Sequence, residues 1–149
     1  MKARLIVLGR WILGVVFVYA GAMKLADPRL FATDLGHFHL LPYPLVAAIA
    51  VYLPWLEICC GSAVLWHRRH RGALLLLTAL CAAFSLALAS AWLRGLNIEC
   101  GCFGRALAVS LPLALLRSLA LGALSVGLLR SDQPKSPAGP AAQNQARAI

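Results

Sequence analysis

Charge is scarce in this chain, and negative charge scarcer still. Only 13% of its 149 residues are charged, and five acidic side chains stand against fourteen lysines and arginines. A soluble domain carries about a quarter charged residues, so the shortage excludes an ordinary soluble fold. Long polar connections are also missing. Four apolar runs, roughly 5–26, 45–66, 72–93 and 109–129, each reach the ~20 residues that cross a bilayer core. They leave room for short loops only, which excludes a second domain, and no internal repeat is present. The expected fold is all-α: one polytopic domain over residues 1–130, an up-down bundle of four transmembrane helices.

The formal net charge of +9 raises the question of nucleic acid, and the placement of the cations answers it. They flank the apolar runs, and no basic face can be separated from them, so no nucleic-acid partner is expected. Lys2, Arg4, Arg68, Arg69, Arg71, Arg130, Lys135 and Arg147 fall on one side of the bundle. Lys24, Arg29, Arg94 and Arg105 fall on the other, together with Asp27, Asp34 and Glu99. Cytoplasmic loops hold the excess of Lys and Arg. Both termini and the second loop are therefore expected in the cytoplasm, with the first and third loops outside. The basic turn His67–Arg71 reads either as this topology signal or as a contact to anionic lipid head groups. Lys2, Arg4 and Arg10 followed by an apolar stretch and Ala20-Gly21-Ala22 imitate a cleavable leader. Because that stretch leads into a further membrane protein, it is expected to remain as the first span.

Within the first run, Gly9, Gly14 and Gly21 allow a neighbouring helix to come close, and Asp27-Pro28 ends it. A short amphipathic helix, from about Arg29 to Phe38, is expected at the outer interface. Pro54 lacks the N–H that a helix interior needs and should kink the second run. Trp66, at the end of that run, suits an interfacial anchor, and Trp55 does not. The turn after it is so short that the second and third runs must be antiparallel neighbours. The third run is rich in Leu, Ala and Ser and ends near Trp92. Beyond Arg130 the composition shifts to Pro, Ala, Gln, Ser and Gly, and residues 131–149 are expected to form a disordered cytoplasmic tail.

The chemistry-bearing run is Glu99-Cys100-Gly101-Cys102-Phe103-Gly104, in the third loop. On the outer side a disulfide can persist, and a bacterial inner membrane with this loop in the periplasm fits. A bond across one glycine closes a small ring that relaxed disulfide geometry does not favour. Strained bonds are more oxidising and suit exchange rather than stapling. Gly101 supplies the backbone freedom that the closure needs, and Arg94 and Arg105 can stabilise a thiolate that Glu99 opposes. Cys100 and Cys102 are thus the candidate catalytic pair of a thiol–disulfide oxidoreductase. Three other readings stay open: free thiols, a bond that stiffens the loop, or half of a zinc site completed by His37 and His39. The wide separation and loose histidine spacing give no expected metal centre.

Cys59, Cys60 and Cys81 lie inside the apolar runs, where cysteine usually behaves as a small hydrophobe. At 1.5 Å per residue Cys60 and Cys81 sit about 9 and 14 Å from the cytoplasmic boundary, too far from the outer loop for a direct relay. Arg10, Glu57 and Arg117 are also intramembrane, at about 8, 14 and 19 Å by the same count. Ionisable groups at such depth face the bundle interior and pair, and Glu57 is within reach of either arginine. The triad reads as a cofactor site for a quinone head group or a proton path, or as an ion pair that pins the first, second and fourth runs together.

These residues together resemble a known family. Arg10, Gly21 with Lys24-Leu25, Leu53-Pro54 with Glu57 and Gly61, Arg94-Gly95, and the Cys100-Gly-Cys-Phe-Gly104 run resemble the methylamine-utilisation protein MauE family, within the wider DoxX-like group of four-helix membrane proteins. The resemblance covers about residues 4–130. It implies a thioredoxin-like periplasmic partner, a redox role for Cys100 and Cys102, and support for the maturation of exported proteins. Electrons then go to a quinone near Arg117 and Glu57 or to another periplasmic thiol. More distantly the bundle is similar to quinone-linked disulfide oxidases, which use a Cys-x-x-Cys pair and a second outer pair. Loop 1 here holds no cysteine, so a self-contained relay is not expected. The alternatives carried forward are a non-catalytic assembly or chaperone subunit, a quinone-linked DoxX-type oxidoreductase subunit, and a transporter or metal carrier using His37, His39 and the cysteines.

Overall fold

The computed structural model describes residues 2–38, 40, 42–66, 70–95 and 110–131. Among the described residues every element is helical: α1 Lys2–Ala26, α2 Pro28–Gly36, α3 Tyr43–Leu65, α4 His70–Leu93 and α5 Leu111–Ser131. Four of these, α1, α3, α4 and α5, are long and apolar enough to cross a membrane. The all-α, four-span expectation therefore holds, and each span starts and stops within a few residues of its apolar run. The Cys100–Cys102 run, His39, the Arg68-Arg69 turn and the tail from residue 132 lie outside the described residues.

Local chemistry sets the ends. Pro28 cannot donate an N–H, so α1 stops at Ala26, and the Asp27 carboxylate accepts the Leu30 N–H at 3.0 Å to start α2. This short helix falls where one is expected from Arg29 to Phe38; it begins one residue earlier and ends two residues sooner, at Gly36. At the other boundary Gly95 adopts φ +68° and its N–H reaches the Trp92 carbonyl at 3.0 Å, a left-handed stop that glycine accepts without strain. The Arg94 guanidinium then donates to the Phe38 carbonyl at 2.9 Å. That bond ties the end of the α2 segment to the end of α4. Trp66 caps α3 and is largely exposed, as an anchor at the helix end should be.

Two helix pairs make the bundle. α1 packs along α3, α4 packs along α5, and the contacts between the pairs are lighter, including the α3–α4 neighbours that the short turn requires. In the first pair the backbones nearly touch. A side chain at Gly61 would start 2.9 Å from the Gly14 carbonyl oxygen, and one at Gly21 would start 2.7 Å from that of Pro54. Gly61→Val is accordingly expected to cost about 1–3 kcal/mol by overpacking, read as a lower melting temperature of the detergent-purified protein. Gly127→Ala, which meets open space, is the control.

The second pair is held by hydroxyls. Ser125 donates to the Leu74 carbonyl at 3.0 Å and lies 2.8 Å from Thr78 Oγ1. Nearer α2, Ser85 donates to Ser118 at 3.0 Å, and Ser118 donates to the Cys81 carbonyl at 3.1 Å. Interhelical bonds of this kind contribute about 0.6 kcal/mol each where no water competes.

The buried residues fall into two clusters. One, around Leu13, Phe17, Val64, Leu74, Leu77 and Leu128, fills the end away from α2. The other, Phe38 with Leu88, Ala91, Leu111 and Ala114, seals the α2 end. Cys60 and Cys81 belong to the first, as small hydrophobes should, whereas Cys59 is exposed on α3. The outward faces carry Leu5, Trp11, Tyr52, Leu86 and Leu116, all well exposed. Such a continuous apolar surface suits lipid rather than water.

Candidate functional site

Between the two clusters the helix pairs stand apart. A small, partly open cleft of about 50 Å³ lies there, lined by Phe17, Lys24, Glu57, Phe84, Arg117 and Ser118 among others. Every long helix contributes to it: α1 gives Phe17 and Lys24, α3 Glu57, α4 Phe84, and α5 Arg117 and Ser118.

Its charged centre is a buried ion pair. Lys24 Nζ donates to both carboxylate oxygens of Glu57, at 2.5 and 2.6 Å, and the two residues are 5% and 2% exposed. Burial this complete means that each charge depends on the other, because water is not there to replace it. The ammonium also lies 5.3 Å from the ring centroid of Phe31 and 5.2 Å from that of Phe84. Aromatic faces attract a cation more strongly when it is desolvated. Phe31 comes from α2, so the short helix takes part in holding the pair.

Backbone geometry explains the reach. Helical Cα–Cβ bonds tilt towards the N-terminus, so the Lys24 side chain leans back along α1 into the bundle. α3 runs the opposite way, and Glu57 sits against Gly21, where its Cβ would lie 3.3 Å from an added side chain. The glycine thus makes the space that the carboxylate occupies.

Depth along the helices points Glu57 to Arg10 or Arg117, because charge counting places Lys24 among the loop cations; the structure instead gives Glu57 an ion pair with Lys24. Arg117 does line the same cleft as Glu57. Arg10 does not; it is buried beside Val7, Trp11, Val64 and Leu65, about 21 Å along α1 from Lys24. The proposed triad is therefore split, with Glu57 and Arg117 at one site and Arg10 elsewhere. One signal could have exposed Lys24: positions 17, 20, 21 and 24 share the i, i+3, i+4, i+7 face of α1, and three of them are small or aromatic.

Cys100 and Cys102 lie outside the described residues; the described residues that flank them in the sequence are Gly95 and Ser110. Both points are at the end that α2 covers, since Arg94 bonds Phe38 and Phe38 packs with Leu111. His37 is exposed at the end of α2. Among the described residues no group of three or more His, Cys, Asp or Glu side chains comes together.

Fold and cleft define a multi-pass four-helix membrane protein built round an intramembrane ion pair. The family described as "Methylamine utilisation protein MauE" matches residues 2–130, and the chain belongs to it. The chain is also similar to the Methylamine utilization protein MauE of Methylophilus methylotrophus, 36% identical over 115 residues. That match covers 75% of this chain and 60% of the relative's own length. No solved structure matches.

Proposed function

We propose that this protein is a membrane thiol–disulfide redox protein whose Cys100 and Cys102 exchange electrons with a thioredoxin-like partner in the periplasm. The exchange supports the maturation of exported proteins, and the methylamine utilization named for the relative is the process that it serves. One observation carries the reading: the two thiols, one glycine apart, sit between the described residues Gly95 and Ser110, both at the α2 end of the bundle. Charge supports the sidedness. Arg4, Arg71 and Arg130 mark the opposite end, with further cations in the flanking sequence, and an excess of Lys and Arg marks the cytoplasm. On the outer surface a visiting thiolate can attack the Cys100–Cys102 bond. One sulfur then leaves as a thiolate and the other is held in a mixed disulfide, which the partner's second thiolate resolves, leaving the partner oxidised and Cys100 and Cys102 as a dithiol; in the reverse direction one of the two thiolates attacks the partner's disulfide and the other resolves the mixed disulfide.

The test is to remove the resolving thiol. In Cys100→Ser and Cys102→Ser variants made one at a time, one variant is expected to accumulate a reducible covalent adduct. Mass analysis of the adduct should identify a thioredoxin-fold protein. No adduct from either variant, in cells that are maturing the client, would overturn the proposal.

A further inference from the structure

We propose that the outward face of α3 is a contact between two copies of this chain, paired in the membrane so that Tyr52 of each meets Trp55 of the other copy. The inference uses neither Cys100 nor Cys102, so it stands or falls apart from the thiol chemistry above.

Most of the outward surface is hydrocarbon side chain, as lipid requires, but one strip of α3 is not. Tyr52 and Trp55 are 74% and 56% exposed. They lie about 14 and 18 Å along α3 from Tyr43, in the middle third of a helix about 35 Å long. Aromatic residues with a polar atom belong at the membrane–water boundary, and these two sit well inside it. Neither the Tyr52 hydroxyl nor the Trp55 indole N–H has a hydrogen-bond partner among the described residues. A polar group that faces hydrocarbon without a partner is costly. A protein surface therefore suits this strip better than lipid does.

The strip also has the spacing of a helix-pairing seam. Leu45, Ala48, Tyr52, Trp55, Cys59 and Ser62 follow one another at alternating steps of three and four residues. That repeat keeps one face of a helix against a parallel neighbour. The first five are exposed and Ser62 is partly so, whereas Ala50, Pro54, Glu57 and Gly61 on the opposite side are buried. Ala48, Cys59 and Ser62 are small, so two such helices can come close on either side of the aromatic pair.

Hydrogen-bonding capacity selects a second copy as the occupant. Tryptophan offers a donor only, while tyrosine both donates and accepts. Two copies inserted in the same direction carry these residues at the same depth, and a two-fold axis along the membrane normal sets the two α3 faces against each other. Each Trp55 N–H then donates to the Tyr52 oxygen of the other copy, one helical turn away. The strip is complementary to itself and needs no acceptor from elsewhere.

Sedimentation equilibrium of the purified full-length protein in density-matched detergent tests this. A monomer–dimer equilibrium is expected. Tyr52→Phe should raise the dimer dissociation constant about tenfold, because two-fold symmetry removes two hydrogen bonds at once. Trp55→Phe should weaken pairing at least as much. The Tyr52→Phe/Trp55→Phe variant should be little weaker than Trp55→Phe, since the two groups share the same bonds. Leu119→Phe, on the outward face of α5, is the control and should leave the constant unchanged. Melting temperature is recorded for each variant.

Cys59 supplies a second readout in the native membrane. With Cys60, Cys81, Cys100 and Cys102 replaced by alanine, oxidation by copper phenanthroline should link it to Cys59 of the other copy. In the same background, Cys59→Ala with Ala123→Cys, exposed on α5, should give no linkage. Four results would overturn the proposal: a monomer in detergent together with no Cys59 linkage in membranes, phenylalanine variants at 52 and 55 that pair as the parent does, equal linkage at residue 123, or linkage of Cys59 to a different protein.

Discussion

Lys24→Met is expected to destabilise the bundle by about 3–5 kcal/mol, the typical cost of leaving one member of a buried ion pair alone. Methionine is shorter than lysine by the terminal nitrogen alone, so little packing is lost. What remains is the Glu57 carboxylate, 2% exposed, facing apolar walls. Glu57→Gln alone should do comparable damage from the other side by stranding the ammonium between Phe31 and Phe84. Combining the two should restore most of the loss, because a neutral pair of similar volume is often as stable as the ionic one. The measurement is a double-mutant cycle on melting temperatures in detergent, with the coupling taken as the departure from additivity. Additive, small effects would mean that water reaches the pair and that the two charges do not hold α1 to α3.

The same pair shows what the sequence could and could not convey. Span number, span ends and the short helix after α1 are all legible, because proline, glycine and the length of an apolar run act locally. Asp27-Pro28 and Gly95 stop helices whatever their surroundings. Which side of each helix turns inward is another matter. α1, α3, α4 and α5 are apolar round nearly their whole circumference, so periodicity gives no inner face. The inner faces are chosen instead by small residues and hydroxyls: Gly14, Gly21 and Gly61 in one pair, Thr78, Ser85, Ser118 and Ser125 in the other. Single residues of this kind carry weak signals one by one. Lys24 is hidden for a related reason. Charge counting assigns a cation near a span end to the loop, yet here the helix continues to Ala26 and the side chain turns back into the protein. Glu57 is legible from its depth as a buried, paired residue, and Lys24 as its partner is not.

The lighter contact between the helix pairs also sets where the cleft lies. The α1–α3 pair is locked by backbone proximity and the α4–α5 pair by hydroxyl bonds, so each is a unit with its own strong internal contacts. The ion pair lies within the first unit, and Phe84 reaches Lys24 from the second. Arg117 faces the cleft from the second unit too. The cleft is therefore lined by both units at once.

Cys100→Ser, Cys102→Ser and the double variant are each expected to reduce maturation of the exported client to the level of cells lacking this protein. Exchange through a mixed disulfide needs both sulfurs, one to attack and one to resolve, so a single substitution should be as damaging as two. Protein level and melting temperature should stay at the parental value, since the bundle's two buried clusters, glycine contacts and ion pair lie elsewhere. The matching accessibility measurement uses a membrane-impermeant maleimide on reduced intact cells, in a background where Cys59, Cys60 and Cys81 are alanine. Cys100 and Cys102 should label from outside, and a cysteine placed by Ser131→Cys, at the opposite end of the bundle, should label only after lysis. Full maturation in the double variant would instead favour the assembly-subunit reading, with the thiols incidental. Labelling of residue 131 alone from outside would reverse the orientation and remove the oxidising compartment on which the exchange relies.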